Sequence, residues 1–218
     1  MAQALTVLLP RTRARGDRLI WAVAPALALA IGVAVLRLVA GGPHALALLG
    51  AVATPALAGA GRVKAPIALA LWLVAWLASG RLAQAAAVAL VALAATTIAE
   101  VAARLAPRRA LALGLVLLAI LDVVLVWGTP QVEPASQALH AAPLPAGIPA
   151  LQDATFGGAM MGWLDFVAPA LLGVVVVHRL RASVVTGVAA GAWALLLFVT
   201  GTVPATVPVL AGLVCAYR

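Results

Sequence analysis

Two carboxylates interrupt the most apolar stretches of this 218-residue chain: Asp122 in LALGLVLLAILDVVLVWGT and Asp165 in GGAMMGWLDFVAPALLGVVVV. No Lys or Arg lies within one helical turn of either. An ionisable group held inside such a segment is costly and points to function. Two of them facing each other in a low dielectric do not both ionise, so the pair shares a proton. Three chemistries fit. In hydrolysis, the ionised carboxyl draws a proton from water while the protonated one donates to a carbonyl oxygen. A relay passes protons or cations. A structural pair merely shares a hydrogen bond. Spacing alone leaves all three open.

The other titratable groups have plainer readings. Asp17 lies in a basic leader, and Glu133 and Asp153 lie in a Pro-rich loop. Glu100 precedes Arg104 by four residues, which puts an ion pair on one helix face. His44, His140 and His178 fall near helix ends or in loops, and none pairs with another ligand type at helical spacing. No metal site and no cofactor is expected. Cys215 stands alone in an apolar stretch, which reads as a buried, inert thiol.

The surrounding elements must hold these groups in oil. Hydrophobic residues make up 66% of the chain and charged residues 9%, with a mean hydropathy of +1.17. Soluble domains carry about 25% charged residues, so the solvent implied here is lipid. A spanning helix needs roughly 20 apolar residues. Residues 1–18 form a basic leader with Arg11, Arg13, Arg15 and Arg18. Apolar runs follow over 19–40, 43–61, 64–80, 82–103, 109–128, 157–178, 182–201 and 203–217. The expected fold is all-α, a polytopic bundle of eight transmembrane helices. Residues 19–108 supply its N-terminal helices. Residues 109–218 form a core with one long loop, 129–156, which carries Pro130, Pro134, Pro143, Pro145 and Pro149.

The net charge of +8 is spread in small groups between apolar runs, which sets orientation and does not suit nucleic acid. With the N-terminus cytoplasmic and eight spans, the cytoplasmic side holds Arg11, Arg13, Arg15, Arg18, Arg62, Lys64, Arg104, Arg108, Arg109, Arg179, Arg181 and Arg218. Arg37 and Arg81 alone face outward. Both termini are then cytoplasmic and loop 129–156 lies outside. At 1.5 Å rise per residue, Asp122 sits about 20 Å from the inner face and Asp165 about 12 Å from the outer one. Together these roughly equal the 30 Å of the hydrocarbon core, which places the carboxyls at one level.

These residues resemble a known family. Leu121-Asp122 and the following Val-Val-Leu-Val-Trp-Gly-Thr are similar to the Tyr-Asp helix of the presenilin and signal peptide peptidase family of intramembrane aspartyl proteases. Gly162-Trp163-Leu164-Asp165, with Pro169 four residues on, resembles the Gly-x-Gly-Asp helix. Val203-Pro204-Ala205-Thr206-Val207-Pro208 resembles the Pro-Ala-Leu motif that opens the last helix. Leu121 stands in place of Tyr, Leu164 in place of the second Gly, and Thr206 in place of Leu. The three motifs cover about residues 109–218.

The resemblance implies Asp122 and Asp165 as catalytic groups, with Gly162, Leu164, Pro204, Ala205 and Thr206 shaping the site. It implies transmembrane or signal peptides as substrates within a lipid bilayer, and an orientation like signal peptide peptidase. The Ala-, Val-, Leu- and Arg-rich composition suggests a GC-rich genome and a prokaryotic cell membrane. A cleaved helix must unwind and find new backbone partners, and the ends of loop 129–156 are expected to offer a strand. Gly157 and Gly158 give the second catalytic helix a flexible start. The alternatives are a non-catalytic membrane protein of the same fold and a small proton-coupled transporter. No internal repeat of the transporter kind is present.

Overall fold

A computed structural model describes residues 2–10, 19–60, 64–129, 132–145, 148–157 and 159–217. Arg11, Arg13, Arg15, Asp17, Arg18, Arg62, Pro130, Gly158 and Arg218 lie outside the described residues. The chain is mostly helical, and each of the eight apolar runs contains a helix. After α1 (Ala2–Leu8), a 3-10 turn (Leu19–Val23) leads into α2 (Ala24–Leu38). Next come α3 (Gly42–Ala58), α4 (Ala65–Leu77), α5 (Gly80–Leu105) and α6 (Arg108–Trp127). Proline occupies the first turn of α2, α3 and α4, where its missing N–H costs nothing and its fixed φ starts the helix. Among the described residues two helices, α5 and α6, are long and apolar enough to cross a membrane.

The long loop is more structured than its prolines suggest. It holds α7 (Val132–His140) and strand β1 (Asp153–Phe156). Strand β2 (Ala159–Gly162) pairs with β1 antiparallel, with Asp153 opposite Gly162 and Phe156 opposite Ala159. Gly157 takes φ +59 at the turn, a conformation that favours glycine. The expected span 157–178 is therefore corrected. Residues 159–162 are a strand, and α8 runs only from Leu164 to Val175. A window of apolar residues fits a buried helix and a strand equally well. Here the partner strand just upstream decides. The chain then continues through α9 (Arg179–Ala194), a short α10 (Leu197–Thr200) and α11 (Val207–Ala216).

The core is built around α8, which is buried on every side from Phe166 to Val175. Helices α1, α5, α6, α9 and α11 surround it. On α5, Val91, Ala95, Ala99 and Ala103 form a row of small residues four apart, and all are fully buried. Small side chains in such a row let two helices approach closely. On α6, Leu111, Leu115 and Leu118 complete the same core. A second cluster of Ala58, Ala68, Leu90, Ala94 and Leu151 joins α3, α4 and α5 to the end of the loop. Large apolar side chains also point outward, among them Leu27, Leu49, Val52, Leu69, Leu77, Leu113, Val188 and Val214.

Three expectations change at this level. Residues 2–8 of the leader are a helix packed against α8 and α9, with Val7 fully buried. Gly173 of α8 makes room for it, since a Cβ there would lie 2.2 Å from the Val7 carbonyl oxygen. Glu100 forms an ion pair with Lys64 at 3.1 Å, 36 residues away in sequence, a tertiary contact that helical spacing does not announce. Cys215 is exposed, not buried. The buried face of α11 runs through Pro208, Val209, Gly212, Leu213 and Ala216, and Cys215 turns away from it.

Candidate active site

Asp122 follows the buried face of α6. It lies four residues after Leu118 and three after Ala119, both buried, so helical periodicity carries it toward the interior of the bundle. Asp165 is the second residue of α8. It sits in the first turn, where the N–H groups without helical partners favour a negative charge. Helices α6 and α8 pack against each other. At the far end of α8, Arg108 of α6 donates from Nε to the Val175 carbonyl at 2.5 Å. Its guanidinium also lies 4.2 Å from the centre of the Tyr217 ring. The two Asp-bearing helices are thus tied at the end opposite the carboxyls.

Each carboxylate is held through its Oδ2. The Gly162 N–H donates to Asp165 at 2.8 Å. Thr206 donates to Asp122 twice, from its backbone N–H at 3.1 Å and from its hydroxyl at 2.7 Å. These contacts bring together the residues singled out in sequence. Gly162 ends β2 and meets Asp165. Thr206, in the turn before α11, meets Asp122, and Ala205 precedes it in that turn. Pro208 stands in the first turn of α11 and marks where helix can begin. Leu164 is the first residue of α8 and packs, half-buried, against the main core.

Several residues that shape the site carry little signal in the sequence. Pro204 accepts a hydrogen bond at its carbonyl from Trp193 Nε1 at 2.9 Å. The Trp193 ring packs 5.7 Å from that of Trp127, the last residue of α6. Ala205 accepts at its carbonyl from Gln3 Nε2 at 3.0 Å. Trp163, next to the Gly162 donor, sends its Nε1–H to the Leu151 carbonyl at 3.1 Å and to Thr54 Oγ1 at 3.2 Å. Thr54, on α3, donates in turn to the Leu151 carbonyl at 3.2 Å. A lone Gln in an apolar leader and a lone Thr in an apolar helix were the available hints.

The hairpin is anchored mainly through β1, with Met161 of β2 packed half-buried against the core. Residues Asp153 and Ala154 of β1 are buried and the strand packs on α5, while Ala159, Met160 and Gly162 of β2 are exposed. Gln84 of α5 accepts from the Gly157 N–H at 3.2 Å. His140 Nδ1 of α7 meets Asp153 Oδ2 at 2.9 Å, and His44 Nδ1 donates to the Pro143 carbonyl at 2.7 Å. The outer edge of β2 leads directly to Asp165. No protein-family model, curated protein or solved structure matches the chain.

Proposed function

We propose that this chain is a multi-pass membrane protein that hydrolyses peptide bonds of transmembrane helices or signal peptides, with Asp122 and Asp165 as its catalytic pair. The reading rests on one observation. Two carboxylates, each far from Lys or Arg in sequence, stand on α6 and α8, helices that pack against each other. The turn Pro204-Ala205-Thr206 closes on one of them and the Gly162 N–H on the other. The outward apolar side chains and the helices from all eight apolar runs support a bundle of eight spans in lipid. The skew of basic residues supports cytoplasmic termini.

In this reading one carboxylate takes a proton from a water, whose oxygen attacks the scissile carbonyl carbon. The other, protonated, gives its proton to the carbonyl oxygen. The tetrahedral intermediate then breaks at the C–N bond: the first carboxyl gives its proton to the leaving amine, and a hydroxyl of the intermediate returns a proton to the second carboxylate. Backbone donors on Oδ2 hold both carboxyl planes in place for these transfers. The exposed edge of β2 suits an unwound substrate, whose freed N–H and C=O groups need partners in lipid. The expected strand thus corresponds to the C-terminal end of the long loop and the residues just after it.

The test is cleavage of a synthetic transmembrane peptide by the purified protein in detergent, read by mass spectrometry. The parent cuts, and Asp122→Asn and Asp165→Asn each abolish cutting. Mutants that cut as well as the parent overturn the assignment. A second reading, a non-catalytic relative of the same fold, draws on Leu164 beside Asp165. It expects a parent that binds the peptide and leaves it whole.

A further inference from the structure

The peptide unit joining Ala205 to Thr206 is gripped at both ends. Its N–H donates to Asp122 Oδ2 at 3.1 Å, and its carbonyl accepts from Gln3 Nε2 at 3.0 Å. The two hydrogen bonds run in series through one planar amide, so each polarises the other. Rotation of that plane breaks both. The Thr206 hydroxyl alone does not fix the plane, because it turns about its own side-chain bonds.

Gln3 reaches this peptide from a helix that the rest of the fold accommodates closely. Ser183 Oγ of α9 donates to the Ala4 carbonyl at 2.7 Å, and Arg179 donates to the Pro10 carbonyl. Gly173 admits Val7. Gln3 itself is buried, and its Oε1 has no hydrogen-bond partner among the described residues. A buried amide used at only one end is expensive and calls for a reason. A Leu at position 3 would fill the same space without that cost.

We propose that Gln3 is a positioning residue of the aspartyl site: by holding the Ala205 carbonyl, it aims the Thr206 N–H at Asp122. The proposal rests on the protease reading above. It makes the N-terminal helix part of the site, although α1 never touches the reacting atoms.

The experiment compares Gln3→Leu with the parent and with Val7→Ala in the full chain. Gln3→Leu lowers kcat about fivefold, as expected for one lost hydrogen bond, with KM unchanged. It also speeds deuterium uptake in the segment 203–208. Val7→Ala weakens α1 packing and lowers the melting temperature, but it keeps the parent kcat. Gln3→Met replaces Gln3→Leu if the latter does not fold. Parent-like kcat and parent-like uptake in the Gln3 variant, with Asp122→Asn inactive, overturn the positioning role and leave the protease reading intact. A parent that cuts nothing overturns the protease reading. Uptake at 203–208 then still decides whether Gln3 holds the peptide.

Discussion

At the residue scale, Thr206 turns a departure from the family pattern into a contact. Where the resemblance leads one to expect Leu, the hydroxyl donates to Asp122 at 2.7 Å. Hydrogen bonds to charged groups are worth about twice neutral ones, and removal of this one loosens the carboxyl that transfers a proton in the proposed reaction. Thr206→Val is therefore expected to lower kcat about tenfold in the peptide assay, and Thr206→Ser to restore most of it. Asp122 and Asp165 were legible in the sequence because a carboxylate amid Leu and Val has few reasons to be there. Thr206 was legible only through its neighbours Pro204 and Ala205. Gln3 was not, because nothing local distinguishes an amide that meets residue 205 from one that faces solvent. Cys215 failed for a related reason: an apolar neighbourhood in sequence says nothing of which face of α11 a side chain joins.

At the element scale, α8 depends on a knot at its start. Trp163 ties the first turn of α8 to Leu151 at the loop end and to Thr54 on α3. Trp163→Phe keeps the ring and deletes the donor. It should cost about 1 kcal/mol, because the Leu151 carbonyl keeps the Thr54 hydroxyl as a donor, and lower the melting temperature in detergent. Thr54→Val should cost less on top of Trp163→Phe than alone, since both act on one network. This gives the first half of the chain a structural role that its apolar helices did not reveal. Gly173→Leu should expel α1 and expose residues 2–8 to limited proteolysis, because even a Cβ collides with the Val7 backbone. The helices themselves were readable from apolar runs and turn residues. The hairpin was not, since pairing between residues 153–156 and 159–162 is decided by register and by burial against α5.

At the scale of the whole molecule, the order of the apolar runs predicted the order of the helices, because each run had to find a place away from water. Their packing was beyond reach, because α8 is central only by virtue of five neighbours drawn from both ends of the chain. The protein should stay with membranes after alkaline carbonate extraction, and reporters fused to either terminus should report the same side. Opposite sides would mean an odd number of spans. The docking of α1 also dictates a timetable. Its residues leave the ribosome well before α8 and α9, to which they bind, so α1 waits for segments made later. Contacts so distant in sequence form late. A nascent chain paused before residue 206 already carries both acidic groups but lacks the turn that grips one of them. In the proposed protease, that grip is the last part of the Asp122 surroundings to be made.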